Sequence, residues 1–106
     1  RFLLKMERFR ECIETSDRLI ALNDTLSEAY FNAGTSYLQL TNGLDERKDK
    51  KQLKALYQHA QTYMERYRRL MPAEKQKWAP ALYRIYLNLN MGRQFDEIDR
   101  ILQNKR

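Results

Sequence analysis

Apolar residues recur every three or four positions through most of this chain, which is the spacing of one face of an α-helix. Five such stripes are separated by short polar segments, so the pattern predicts five helices joined by short connections. Helices connected in this way are expected to pack as antiparallel hairpins. The stripes run over residues 9–20, 26–38, 53–70, 82–89 and 95–102.

Residues that favour helix ends mark the boundaries of these stripes. The Asn-Asp pair at 23–24 is expected to end the first helix, with Ser27 as a side-chain cap for the second. The second helix is expected to stop at Thr41–Gly43. Pro72 ends the third helix, because the residue before a proline disfavours helical geometry, and Pro80 suits the first turn of the fourth.

The charged segment 41–54 is the exception to the short connections. It holds five basic and three acidic residues. We expect its first half to be a charged loop and its later half to extend the third helix. Thr41–Lys51 is polar and longer than the usual hairpin connection, so we predict that it is the most mobile internal stretch.

The composition agrees with a small helical domain. The chain of 106 residues has 15 leucines, 8 alanines and no valine, which favours helices over sheets. No apolar run reaches the roughly 20 residues that cross a bilayer, and Arg1–Lys5 does not resemble the start of a signal peptide. Because the chain opens with arginine, we expect a piece whose native N-terminus is missing, with Arg1–Met6 as the tail of an earlier helix. The compartment is left undetermined.

One cysteine and one histidine restrict the chemistry that the chain can support. They offer neither an internal disulfide nor a set of zinc ligands, and the three glycines form no phosphate-binding loop. We therefore expect no catalytic residues, no metal and no cofactor. Cys12 is expected to be a small buried side chain, and His59 a partly buried histidine with a hydrogen bond.

One motif in the second stripe combines aromatic and very small residues. Tyr30-x-x-Ala33-Gly34-x-x-Tyr37 places two small residues at the centre of a helical face. Because Ala33 and Gly34 have almost no side chain, a neighbouring helix can approach closely there. Ala60 is the expected small partner on the third helix, so we predict a close crossing of Gly34 and Ala60.

A second motif follows on the third helix. Ala60-x-x-x-Met64, then Tyr67 and Pro72, together with the first motif, resembles the tetratricopeptide repeat, a helical hairpin with a period of about 34 residues. The second-helix pattern recurs loosely at residues 9–13 and 95–98. The equivalent positions 12, 60 and 98 are 48 and 38 residues apart, so both intervals exceed the period of about 34 residues. The larger excess falls in the interval that contains the charged segment 41–54.

The resemblance implies an all-α fold, a short right-handed solenoid of antiparallel helical hairpins. Residues 1–24 would be the end of a preceding repeat, 25–72 a repeat with an insertion at about 41–54, and 73–106 the last repeat. In this family the first helices of successive repeats line a concave groove. The resemblance therefore implies a non-catalytic protein–protein interaction module whose partner is a peptide or a helix of another protein.

Residues of the second and fourth helices outside the core are the candidates for this groove. Phe31 and Tyr83 lie one position off their apolar stripes, where an aromatic ring is half exposed, although both could instead complete the core. Asn32 with Arg84 resembles part of the carboxylate clamp of some family members, and we expect a generic pair at the groove rim. The candidate set is Phe31, Asn32, Thr35, Leu38, Gln39, Tyr83, Arg84 and Leu87.

Two other functions follow from the sequence as alternatives. The chain could be a structural segment of a longer solenoid or associate with copies of itself, with the polar residues 103–106 as a cap. Residues 46–78 hold ten basic and four acidic residues, and this excess equals the net charge of +6, so nucleic acid could bind through residues 47–77. We expect a solvated helix face instead, since the arginines at 66–69 complement the dipole at a helix end.

Overall fold

The computed structural model describes residues 2–104, with side chains from residue 4 onward. Over this range the chain forms five α-helices and one 3-10 turn, which confirms the prediction of an all-helical fold. No helix in the described part of the chain is both long enough and apolar enough to cross a membrane. The helices are α1 Phe2–Leu22, α2 Ser27–Leu40, α3 Lys50–Leu70, α4 Lys75–Asn88 and α5 Gly92–Gln103, and the 3-10 turn is Thr41–Gly43.

Three of the predicted boundaries are wrong. Residues 2–6 continue into α1 instead of ending an earlier helix, and Arg1 lies outside the described residues. Ser27 is the first residue of α2 and forms no side-chain cap, because the cap position is taken by Leu26. Pro80 lies in the interior of α4, since the polar residues 75–77 form a first turn that carries no apolar stripe.

The turn between α4 and α5 is closed by backbone hydrogen bonds around Asn90. This residue has a φ of 57°, a left-handed conformation that asparagine tolerates better than most residues. The N–H of Met91 donates to the carbonyl of Tyr86 at 3.0 Å, and the N–H of Asn90 donates to Leu87 at 3.3 Å. Both bonds belong to the Schellman pattern of helix ends, and they turn the chain sharply into α5.

Each helix packs mainly against its neighbours in the sequence, so α2 lies between α1 and α3, and α4 lies between α3 and α5. Side chains also join α2 to α4. Lys77, near the start of α4, contacts Glu28 near the start of α2, and Arg84 contacts Thr41 at the end of α2. The two helices therefore run side by side in the same direction.

Helices α1 and α3 are parallel neighbours in the same way. Arg10 and His59 line one pocket between the first halves of these helices. Farther along both helices, the hydroxyl of Tyr63 donates a hydrogen bond to the carboxylate of Asp17. Burial and this carboxylate raise the pKa of Tyr63, so the hydroxyl stays a donor at neutral pH.

The core is continuous from α2 to α5, and Trp78 is its largest buried side chain, at 2% exposure. The Trp78 indole N–H lies 3.2 Å from the carbonyls of both Met71 and Pro72, which fastens α4 to the end of α3. The guanidinium of Arg68 lies 4.4 Å from the centroid of the indole ring and also pairs with Glu97 of α5 at 3.2 Å. One arginine therefore connects α3 to both following helices.

Gly34 of α2 faces Ala60 of α3 at the close crossing that the sequence predicts. Ala60 is fully buried. A Cβ atom placed on Gly34 would lie 2.9 Å from Cε of Met64, 3.4 Å from Cβ of Tyr63 and 3.6 Å from the Ala60 carbonyl oxygen. Met64 can move its terminal methyl group, but the other two atoms are fixed by the helix, so the space admits little beyond a methyl group.

The first residues of the charged segment belong to the fold. Thr41 is 4% exposed, and its hydroxyl donates to the Leu38 carbonyl at 2.6 Å. The following residues form a turn in which the Asp45 carboxylate accepts hydrogen bonds from the N–H groups of Arg47 and Lys48. These bonds lower the pKa of Asp45. As predicted, the later half of the segment is helical and joins α3.

The expectations for the cysteine and the histidine are wrong. Cys12 is only half-buried, and Ile13 and Ser16 are the α1 residues that face the interior. His59 is exposed and stacks on Tyr37, with 4.9 Å between the ring centroids. Cys12 on α1 and His59 on α3 therefore both lie at the edges of helix contacts instead of inside them.

We predict that Gly34→Leu lowers the stability of the domain by about 2–3 kcal/mol, because the larger side chain must push the α3 backbone away from α2. Urea or thermal unfolding followed by circular dichroism measures the change. Gly92→Leu is the matched control, since a Cβ at this position meets no atom within 4 Å. Equal melting temperatures for the two variants would contradict the close crossing.

We also predict that trypsin first cuts the folded protein after Arg47 or Lys48. Both residues are exposed and lie outside the helices, so the protease can bind the local chain without unfolding a helix. Mass spectrometry of the first fragments identifies the site. A first cut inside α3 or α4, with residues 47–48 protected, would show that the turn resists opening more than the helices do.

Candidate functional site

The surface that α2 and α4 turn to solvent is the candidate site, and we call it the α2–α4 face. On α2, the open positions recur every three or four residues and end beside the 3-10 turn. On α4, the open positions follow the same spacing. The face consists of Glu28, Phe31, Asn32, Thr35, Gln39 and Asn42 together with Lys77, Pro80, Tyr83, Arg84 and Leu87.

At one end of this face an ion pair bridges the two helices. The Lys77 ammonium lies 3.2 Å from the Glu28 carboxylate and 5.3 Å from the centroid of the Phe31 ring. The hydrogen bond to Glu28 raises the pKa of Lys77, so the ammonium keeps its charge. Phe31 also packs on Tyr67 of α3, with 5.1 Å between the ring centroids, and burial raises the pKa of Tyr67.

At the other end Arg84 reaches across from α4 to the last turn of α2. Its guanidinium donates hydrogen bonds to the Thr41 hydroxyl at 2.8 Å and to the Asn42 side-chain oxygen at 2.9 Å. A third, longer contact of 3.4 Å reaches the Leu38 carbonyl. Because a guanidinium has five N–H donors in a planar fork, these acceptors leave further donors at the edge of the face.

The structure places seven of the eight predicted groove residues on the open surface. Phe31, Thr35, Tyr83 and Arg84 are half-buried, and Asn32, Gln39 and Leu87 are exposed. Leu38 is the exception, because the sequence places it in the predicted groove and its side chain is buried. Its side chain is 6% exposed because it belongs to the hydrophobic core, and its carbonyl accepts the long contact from Arg84.

These residues do not form one compact cluster. Tyr83 packs on Phe95 of α5, with 4.7 Å between the ring centroids, whereas Phe31 packs on Tyr67 of α3. Asn32 and Arg84 are not paired either, since Arg84 binds the end of α2. Phe31 and Asn32 therefore lie on the α2 side of the α2–α4 face, and Tyr83 and Arg84 lie on its α4 side.

Sequence reasoning missed Lys77, Thr41 and Asn42 as parts of this face. In the sequence, Lys77 belongs to the basic stretch 46–78, and Thr41–Gly43 marks the end of a helix. One signal was available, since Lys77 and Arg84 are seven residues apart, which places two cations on the same face of a helix. Their acceptors on α2 could not be found in this way, because that contact joins positions far apart in the sequence.

A shallow pocket of about 470 Å³ continues the face toward α1. Gln39 and Asn42 form one wall, and Lys5, Arg8 and Phe9 of α1 form the other. Within residues 2–104, no three histidine, cysteine or acidic side chains lie together as they would to hold a metal ion. The face thus offers amide groups, cations and the edge of an aromatic ring.

No protein-family model, curated protein or solved structure matches this chain.

We predict that Arg84→Ala lowers stability by about 1–2 kcal/mol, because it removes charge-assisted hydrogen bonds that reach a buried threonine. Lys77→Ala is the matched comparison, since it removes an exposed ion pair at the other end of the face and should shift the melting temperature less. Thermal unfolding of both variants measures the difference. A larger loss for Lys77→Ala would mean that the ion pair, and not the guanidinium, holds α4 against α2.

Proposed function

We propose that this chain is a non-catalytic protein–protein interaction module that binds an extended peptide or a helix of a partner along the α2–α4 face. The observation that carries the proposal is the pair of bridges between α2 and α4. The Glu28–Lys77 pair and the bonds of Arg84 to Thr41 and Asn42 fix two parallel helices before any partner arrives.

A fixed face of this kind lowers the cost of binding. Phe31 is half-buried and rests on Tyr67, so its ring can cover an apolar side chain of a partner without first losing much freedom. Asn32 and Gln39 are exposed amides on the same helix surface, and amides can pair with peptide N–H and carbonyl groups. Such a combination of one aromatic anchor and a polar rim is typical of protein interfaces.

We also propose that the helices form a short right-handed solenoid of the tetratricopeptide type. The support is the alternation of the chain, in which α2 and α4 are parallel and α1 and α3 are parallel, together with the small residues at the Gly34 crossing. In this interpretation α2 and α4 are the first helices of successive repeats, and the α2–α4 face is the inner surface.

A second candidate function is association of the chain with itself or with further repeats through its α1–α2 end. Leu22 is 84% exposed, Leu19 41% and Leu26 37%, and all three lie near the turn between α1 and α2. The outer side of α5 instead carries polar residues, as a cap does. Sedimentation equilibrium tests the self-association. Leu22→Lys should lower the oligomer mass, and a strictly monomeric wild type would rule self-association out.

The primary proposal is tested with peptides selected from a random library on the wild-type protein. We predict that Phe31→Ala weakens the binding of the selected peptides by roughly 1–3 kcal/mol, as expected for an anchor residue. The α-helical circular dichroism signal should be retained. Asn32→Asp should change their affinity as well, since it places a charge at the centre of the face. Isothermal titration calorimetry measures each change.

Gln94→Glu is the matched control for Asn32→Asp, because Gln94 is also exposed but lies on α5, away from the face. Reversal of Lys48, Lys50 and Lys51 to glutamate should alter mainly the association rate and its dependence on salt. If these reversals abolish binding while Phe31→Ala and Asn32→Asp leave it unchanged, the partner binds the basic side of α3 and the proposal is wrong.

A further inference from the structure

A groove lies between the first halves of α1 and α3, and we call it the α1–α3 groove. It consists of two adjoining cavities of about 390 and 450 Å³, which share Arg10, Tyr37 and Leu40. Its walls come from residues 6–14 of α1 and 52–59 of α3, and α2 supplies the floor. None of its lining residues belongs to the α2–α4 face.

The apolar side chains of this groove are left out of the main core. Met6, Leu44 and Leu56 are half-buried, yet none of them belongs to the core or packs against it. Leu56 also follows the apolar spacing of α3, and residues with this spacing usually lie in a contact between helices. The helices between residues 4 and 104 therefore cover this apolar surface only in part.

Stacked aromatic rings hold the floor of the groove in place. The ring of Tyr37 lies between those of His59 and Tyr63, with 4.9 and 5.7 Å between the centroids and interplanar angles of 21 and 25°. Beyond this stack the Tyr63 hydroxyl donates to the Asp17 carboxylate, so α1 and α3 meet there and the groove ends. Because the floor is already ordered, a ligand loses little free energy in fixing these side chains.

The charged residues of α1 are divided between two sides of the helix. The basic residues Lys5 and Arg8 border the pocket beside the end of α2. The acidic residues that border the groove are Glu7, Glu11 and Glu14. All three are exposed, and none forms an ion pair with a residue between 4 and 104. With one basic residue, Arg10, the α1 wall is negative in a chain whose net charge is +6.

We propose that the α1–α3 groove binds an amphipathic helix of a partner protein, with lysine or arginine residues along one flank of its apolar stripe. The apolar stripe would cover Tyr37 and Leu56, and the basic flank would pair with the glutamates of α1. Residues 6–14 extend about 12 Å at about 1.5 Å per residue, so the groove holds about two turns of such a helix. This length accommodates apolar side chains at positions i, i+3 or i+4, and i+7.

The charge of the α1 wall disfavours a second copy of this chain as the occupant. A two-fold contact through the groove uses the same surface on both subunits, so the glutamates of both α1 helices would come together and repel each other. A copy that inserted its lysine-rich segment 46–54 would use two different surfaces, and such contacts form rings or open filaments instead of a two-fold dimer. A partner helix of opposite charge meets neither difficulty.

A display library of helical peptides about 18 residues long, randomised on one face and its two flanks, provides the probe. Peptides are kept when they bind the wild-type protein but not Ala55→Arg. Ala55 is exposed and lines the groove, so a long cationic side chain there fills the space and repels a basic flank without removing a packed group. We expect the retained peptides to lose at least about tenfold in affinity with Ala55→Arg and to carry lysine or arginine on one flank.

Two matched controls locate the contact. Gln58→Arg makes the same change of charge at an exposed position of α3 that lines neither cavity, and it should leave the affinity unchanged. Glu14→Lys should weaken binding about three- to tenfold. Asp96→Lys on α5 changes the charge equally and should have no effect, because Asp96 is exposed and lies outside the groove. Fluorescence anisotropy of labelled peptides measures each affinity.

Three results would overturn the proposal. The first is a library from which no peptide passes the Ala55→Arg step, or only peptides with neutral or acidic flanks. The second is an affinity that Glu14→Lys leaves unchanged. The third is a wild-type dimer that Ala55→Arg converts to a monomer, which would identify a second copy as the occupant. Phe31→Ala should not affect the retained peptides, so failure of the groove and failure of the α2–α4 face are separate outcomes.

Discussion

The approach of α2 to α3 at Gly34 is the constraint on which the other helix positions depend. With no side chain on Gly34 and only a methyl group on Ala60, the two helices come close enough for Tyr30, Tyr63 and Met64 to fill the space around the crossing. A packed interior does not tolerate small changes in volume, so the crossing determines the separation of α2 and α3. Their two surfaces then determine where α1 and α4 can pack.

The position of α4 follows from this crossing in two steps. Burial of Trp78 against the end of α3 sets where α4 begins, and the two indole N–H contacts fix its direction out of the turn. The bridges from Lys77 and Arg84 then align α4 with α2. The open face between these helices is therefore a consequence of core packing, and polar contacts at its two ends keep its shape.

The structure shows how the excess positive charge of the chain is distributed along α3. Residues 46–78 look like one basic stretch in the sequence. In the structure its lysines and arginines separate into one group near the start of α3 and another near its end. The group near the end of the helix is largely structural, since Arg68 stacks on Trp78 and pairs with Glu97. The group at the start borders an open pocket that Tyr57 also lines. The same excess charge thus stabilises the fold at one end of α3 and borders an open pocket at the other.

The sequence by itself determined the helices, most of their ends and the crossing of Gly34 with Ala60, because these depend on local spacing and on side-chain size. It also placed Asn32, Gln39 and Arg84 on a common surface, since helical periodicity is local. Only the tertiary structure decided that Leu38 turns inward and that Arg84 binds Thr41. Each of these results depends on contacts between helices far apart in the chain, whose angles and separations are set by packing and not by any single stretch of residues.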